Sequence, residues 1–452
     1  MTAPVTQPNL TQGSLIRRLV ELAGPFMLAN LLQLTVLAAD RIWIGRVGTS
    51  ALAGLGLAHV AVMICFTLLL GPAIGTLAGV AKHIGSGDRE AAETVLGQGI
   101  LIGTGLGVLF GISAFIVPQW VLSFMGEQAN VSTDTGQYLS VSFFALCFHG
   151  PLLALTFAIQ GAGEARAALI IQAVAPVVNG ILDPILIFGL GWGMAGAAWA
   201  SVFGYGCALA VGLYMVRQDG LKIRWRSPIL RLSPDISREI FRVGVPGTIE
   251  QIVRTGALFL LVRILAQFGQ IILSAYTVTV MITLVLVRLG VALGQATAAL
   301  VGQNLSAGKL ARAWKTTWIS VLFYGCFMVC SMGLLWYFSG TLIAVFDSKT
   351  EVIVEGSRLL KIMTVSFPGI AVALILSKAF AGASKTRPPM VSAGFAHLLF
   401  QIPLAWYWSK EYGPDGAYWA MTLAFYVHAA LNGYFFWYYF APGRADSQAL
   451  KR

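Results

Sequence analysis

The sequence predicts an all-α membrane protein, with twelve transmembrane helices in two six-helix lobes related by a parallel pseudo-twofold repeat. Three observations carry this. Of the 452 residues, 57% are hydrophobic and 11% charged, with a mean hydropathy of +0.77, which is too apolar for an ordinary soluble chain. Twelve apolar runs approach or exceed the roughly 20 residues that cross a bilayer. Finally, Gly161-Ala162-Gly163-Glu164-Ala165-Arg166 recurs as Gly382-Ala383-Ser384-Lys385-Thr386-Arg387, a displacement of 221 positions (382 minus 161). The same displacement carries Pro25 onto Pro246, Gly48 onto Gly269 and Gly87 onto Gly308.

In chain order, the first six runs cover residues 16–39, 51–81, 94–116, 138–160, 167–189 and 193–216. The second six cover 240–265, 271–301, 314–338, 354–380, 389–409 and 416–440. Because six is even, both copies enter the membrane from the same side, so the repeat is parallel. The domain reading is an amino-terminal lobe over 1–220, a cytoplasmic linker over 221–236 and a carboxy-terminal lobe over 237–452. The linker is hydrophilic and Arg-rich and contains Pro228 and Pro234.

Lysine and arginine fix the orientation. Inner segments carry 21 of them, and outer segments carry four, Arg41, Arg46, Lys349 and Lys410. This asymmetry puts both termini in the cytoplasm and accounts for most of the net charge of +11, so the basic balance needs no nucleic-acid partner. The polar first fourteen residues and the long apolar run behind them do not read as a removable signal peptide. The expected location is the inner (plasma) membrane of a prokaryote. Cys65, Cys147, Cys207, Cys326 and Cys330 all fall in apolar runs and form no disulfide framework or metal spacing. The five histidines are scattered and form no recognisable pair in the sequence, which leaves a membrane metalloenzyme unsupported. No nucleophile, base and orienter converge, so the chain is not expected to be an enzyme, and no cofactor is expected.

Two acids sit inside the amino-terminal copy without counterparts in the other. Asp40 falls on Leu261 in the repeat register, and Asp183 on Leu404. A carboxylate in the hydrocarbon costs on the order of 2.5 to 3.5 kcal/mol on insertion scales, so it faces the interior and has a partner. Asp183 lies about 20 Å from the inner face at ~1.5 Å rise per residue. Asp40 closes the first run, and Ser201 lies roughly 12 Å below the outer end of the sixth, so the three depths overlap. Asn179 and Asp183 are four apart and share a helix face. Two carboxylates, an amide and a hydroxyl at one depth either hold a hard monovalent cation such as Na⁺, ligated by Asp40, Asn179 and Asp183, or share a proton. The simpler readings are an interfacial Asp40 paired with Arg41 or Arg46, and an Asp183 that serves a kink at Pro184. Pro25 weakens the helix that carries Asp40 and is the candidate hinge.

Ala39-Asp40-Arg41-Ile42-Trp43-Ile44-Gly45, Gln160-Gly161-Ala162-Gly163-Glu164 and Asn179-Gly180-Ile181-Leu182-Asp183-Pro184-Ile185-Leu186-Ile187 resemble the multidrug and toxic-compound extrusion (MATE) transporters, in their DinF-type or archaeal-like branch. The resemblance runs from about Leu15 to Tyr439. It implies a two-lobed antiporter that exchanges inward-moving H⁺ or Na⁺ for amphipathic, often cationic compounds by alternating access. It also implies an ion-coupling site at Asp40, Asn179, Asp183 and Ser201, where many relatives have Thr at the last position. Gln33 and Tyr138 match polar positions near that site. The implied partners are small amphipathic molecules and membrane lipids, and the chain is expected to be a monomer.

The carboxy-terminal copy has different polar residues. Glu250 and Arg254 are four apart and can pair on one face. Arg254 corresponds to Gln33 in the repeat, and Arg288 to Thr67. Arginines facing a cavity favour anions, so Arg254 and Arg288 support an alternative, a flippase for an anionic lipid-linked precursor. The acid cluster in the first copy ranks the antiporter ahead of it.

Overall fold

The computed structural model describes residues 10–47, 49–117, 133–225 and 233–442. Gly48, the linker stretch with Arg226, Pro228 and Arg231, and the basic Arg444, Lys451 and Arg452 lie outside the described residues, as does the side chain of Arg41.

Helices occupy all twelve expected positions. The first six are α1 (Leu15–Val47), α2 (Thr49–Ser86), α3 (Arg89–Ser113), α4 (Thr133–Ala162), α5 (Ala165–Pro184) with a π-helical continuation Ile185–Gly189, and α6 (Gly193–Arg217). Then follow α7 (Pro234–Ala266), α8 (Gln270–Ser306), α9 (Leu310–Ala344), and a broken span made of α10 (Thr350–Thr364) and α11 (Phe367–Gly382), bent by 51°. The eleventh position holds α12 (Arg387–Ala393), a π-helical stretch Gly394–Gln401 and α13 (Ile402–Tyr412), and α14 (Pro414–Phe440) ends the described chain. Among the described residues, eight helices are long and apolar enough to cross a membrane, or nine with the bent pair. α7 falls short because Glu250, Arg254 and Arg263 interrupt its apolar run. Leu109, Ile112, Leu322 and Leu334 are exposed on helix flanks, where a membrane chain places apolar groups against lipid.

The repeat is visible in the packing. At Gly161, a Cβ would collide with the Leu77 carbonyl of α2, and at Gly382 one would collide with the Ala298 carbonyl of α8. Both pairs are related by the displacement found in the sequence. Small residues let membrane helices approach this closely. The turn after each glycine also recurs. Gly163 takes φ +80°, and its counterpart Ser384 takes φ 56°, a left-handed setting that is uncommon outside glycine.

The chain divides into two compact units. One comprises residues up to 10 together with 20–245, and the other comprises 11–19 with 246–452. The division at Val245–Pro246 falls later than the 221–236 linker read from the sequence, and the contacts of α7 explain it. Lys82 pairs with Glu239 at 2.7 Å, and Ser237 donates to Gln98 at 3.0 Å. Gly75 lies so close to the Ile240 carbonyl that a Cβ would not fit. The start of α7 therefore packs with the first unit. In the second unit, Lys309 Nζ donates to the Thr11 carbonyl at 2.9 Å and Arg312 to the Gln12 carbonyl at 3.1 Å, which ties in the segment ahead of α1.

Candidate functional site

In the first unit, α1, α5 and α6 bring Asp40, Asn179, Asp183 and Ser201 together. Asp183 is fully buried and Asn179 nearly so, while Asp40 and Ser201 are half-buried. The helical spacing of Asn179 and Asp183 puts both on the face of α5 turned to its neighbours. Pro184 supplies no N–H to the turn above it, and from Ile185 the helix runs on as a π stretch. Such stretches concentrate at functional positions because they re-aim nearby side chains.

The Asn179 amide is the hub. Its NH₂ donates to Asp183 Oδ2 at 3.0 Å and Asp40 Oδ1 at 3.1 Å, while its carbonyl accepts from Ser201 Oγ at 3.1 Å and Ser201 N at 3.2 Å. Ionised carboxylates only accept hydrogen bonds, so this orientation suits a charged pair. Asp183 Oδ1 is buried and has no hydrogen-bond partner among the described residues. The carboxyl groups of Asp40 and Asp183 are also within hydrogen-bonding reach of each other. With both ionised, they repel in a poorly solvated site, and a shared proton or a monovalent cation removes that repulsion.

The walls of this cluster are aromatic and apolar. Tyr138 on α4 lies within the electrostatic reach of both aspartates and packs against Ile44, Ile187, Met194 and Ala197. Tyr205 on α6 lies within reach of Asp40 and stacks on His149 with centroids 4.1 Å apart. Sequence reasoning missed Tyr205, although it stands four residues after Ser201, on the same helix face. Gln33 is exposed and makes no hydrogen bond to the cluster among the described residues. Arg46, one suggested partner for Asp40, instead lies over the Trp43 ring at 5.0 Å. Pro25 sits inside α1, fifteen residues before Asp40 (40 minus 25).

The second unit departs from the sequence reading at two points. Glu250 and Arg254 form no ion pair among the described residues, although their spacing allows one; both side chains are half-buried, as is Arg288. The histidines, scattered in sequence, converge in space. His397 Nε2 meets His428 Nδ1 at 3.2 Å, His397 Nδ1 meets Gln401 Oε1 at 2.8 Å, and Asn432 Nδ2 meets His428 Nε2 at 3.2 Å. The pairing joins helices at the eleventh and twelfth positions, so no local spacing could have signalled it.

Comparison with known proteins agrees with this architecture. The MatE family model matches residues 25–185 and 246–407, one match in each repeat. The chain is 24% identical over 370 residues to the "Probable multidrug resistance protein YpnP" of Bacillus subtilis, covering 82% of this chain and 83% of that protein. It is 23% identical over 399 residues to a protein of Shewanella oneidensis named "FAD transporter", covering 86% and 87%. In fold, it is similar to the outward-facing structure of a multidrug resistance MATE family transporter of the MOP superfamily, with a TM-score of 0.89 at 20% identity over 98% of each chain.

Proposed function

The chain belongs to the MatE family of multidrug efflux transporters, and on that premise we propose that it is an antiporter, driven by inward H⁺ or Na⁺, that exports amphipathic compounds by alternating access. The observation that carries this reading is the buried cluster of Asp40, Asn179, Asp183 and Ser201, with its unpartnered Asp183 oxygen. The cluster can gain and lose one unit of positive charge. In a site of low dielectric, one unit of charge is enough to bias the packing of a helix.

The coupling ion enters as cargo. With the site empty, the Asn179 NH₂ spreads its donation across the two carboxylates. When a proton or Na⁺ arrives, it takes over the balancing of the two carboxylates, and the Asn179 donations to them weaken. That exchange loosens the tether between α5 and the end of α1, and Pro25 gives α1 a place to yield. Bound substrate then loses affinity and leaves outward. When the ion escapes inward, the starting arrangement returns. Coupling requires that ion and substrate favour different states of this one lobe. The protein works as a multi-pass membrane monomer with both termini in the cytoplasm.

Asp40→Asn tests the proposal. Dye efflux from proteoliposomes under an imposed ion gradient is expected to be abolished while membrane insertion stays intact, and wild-type efflux would refute the assignment. A second reading, a flippase for an anionic lipid-linked precursor, is favoured by one observation, the half-buried Arg254 and Arg288 without ion pairs among the described residues. Proteoliposomes containing a fluorescent anionic lipid separate the two, since a flippase moves that lipid and the antiporter moves the soluble dye.

A further inference from the structure

Outside the acid cluster, a second group of ionisable residues lies in the second unit, around Arg254. Arg254 on α7 acts electrostatically on Tyr324 of α9, Lys378 of α11, His397 of the π-helical stretch and His428 of α14. Groups on four elements thus lie within the electrostatic reach of one guanidinium. Lys378 lies across α8, its stem so close to Gly294 that a Cβ there would sit 2.6 Å from the lysine Cγ. Among the described residues, Glu250 is the acid that acts on Lys378. Among the described residues, neither Arg254 nor Lys378 forms an ion pair, and both are half-buried.

The histidines do not supply the missing negative charge. With Asn432 Nδ2, which also lies 3.2 Å from the Ala373 carbonyl and 3.1 Å from Ser377 Oγ, donating to His428 Nε2, the proton of His428 sits on Nδ1 and goes to His397 Nε2. His397 Nδ1 then donates to Gln401 Oε1. Every ring nitrogen is satisfied with both rings neutral, and an added proton would set two N–H groups against each other. The Tyr324 hydroxyl is occupied in the same sense, donating to the Leu286 carbonyl at 3.2 Å. One acid therefore lies within electrostatic reach of two basic side chains inside a membrane-spanning lobe. A charged side chain there is costly unless something balances it.

We propose that the carboxy-terminal lobe carries a receptor for an anionic group, a carboxylate or a phosphate, held by Arg254 and Lys378 against the neutral histidine wall. The arginine fork matches the two oxygens of either group, and the lysine adds a point charge. The π-helical stretch presents His397 and Gln401, as the π stretch of α5 follows Asp183 in the other lobe. The site uses no residue of the Asp40 and Asp183 cluster. Its anion is either a group on a soluble amphipathic substrate or a lipid headgroup.

The test uses the full chain in nanodiscs of phosphatidylcholine, with pyrenebutyrate and its methyl ester as fluorescent probes. The carboxylate is expected to bind at least about tenfold more tightly than the ester, since a hydrogen bond to a charged group is being compared with a neutral one. Arg254→Gln and Lys378→Met should each weaken carboxylate binding by about 10- to 100-fold and leave ester binding unchanged, while Arg254→Lys, which keeps the charge but loses the fork, should fall between Arg254→Gln and the unaltered chain. Asp183→Asn should keep the acid-to-ester affinity ratio of the unaltered chain, even where both affinities shift together, which keeps this site separable from the antiporter reading. Competition by phosphatidylglycerol supports a headgroup as the anion, and binding insensitive to that lipid supports a soluble one. Equal binding of acid and ester by the unaltered chain would overturn the proposal without any variant. So would full carboxylate affinity in both charge-removing variants, or loss of the preference for acid over ester in Asp183→Asn.

Discussion

Asp183→Asn removes one charge from the cluster and almost nothing else. Its side chain is fully buried, and the Asn179 NH₂ that reaches Oδ2 at 3.0 Å can donate equally well to an amide oxygen. The new NH₂ takes the place of the unpartnered Oδ1, within reach of the Asp40 carboxyl, so the variant imitates the ion-occupied state. A unit charge about 4 Å from a bound cation contributes about 4 kcal/mol at an effective dielectric of ~20, which corresponds to about a thousandfold in affinity. Gradient-driven dye efflux in proteoliposomes should therefore fall by about that factor at subsaturating ion. Thermal stability should hold or rise, because a buried repulsion is relieved. An efflux rate within about threefold of the unaltered chain, a loss smaller than one hydrogen bond to a charged group, would refute the reasoning.

Three further outcomes are expected. Ser201→Ala removes the hydroxyl 3.1 Å from Asn179 and should raise the ion concentration for half-maximal efflux by about 2- to 10-fold, whereas Ser201→Thr should not; equal impairment of the two would contradict the hydroxyl's role. Gly161→Ala and Gly382→Ala should each destabilise by about 1 to 3 kcal/mol, since each Cβ meets a backbone carbonyl; Gly105→Ala, in open space, should be neutral or better, and thermal melts of the three in detergent check this. Burial pushes the Glu164 carboxyl above the usual carboxylate range, against the opposing charge of Lys222. A folded-state pKa raised in this way costs stability as pH rises through it and none below the unfolded value. Glu164→Gln, which still accepts the Lys222 N–H, should thus melt above the parent at about pH 8 and match it at about pH 4; a gap that opens on acidification would contradict the assignment.

The parts of the site that follow from helical spacing and depth were legible in the sequence. Asn179 and Asp183 share a face because they are four apart, and Asp40 and Ser201 join them because their depths coincide. The repeat was legible for a similar reason, since the close approaches at Gly161 and Gly382 require a missing Cβ and leave a mark in both copies. Sequence reasoning failed where helix rotation and packing between distant segments decide. Glu250 and Arg254 have the spacing of a pair, yet Glu250 acts on Lys378 and Arg254 stands among groups from four other elements. His397 and His428 are 31 positions apart on different helices, and only packing brings their rings together. The unit boundary at Val245–Pro246 depends on Ser237 and Glu239 finding Gln98 and Lys82, which composition does not reveal.

The most direct test of the central claim is equilibrium binding of an exported dye to the purified chain while Na⁺ and pH are varied independently. If Asp40 and Asp183 share one cation in competition with substrate, either added Na⁺ or added protons will displace the dye with a slope of one ion per chain, and Asp183→Asn will abolish the dependence. Dye affinity that stays constant across both titrations would contradict it.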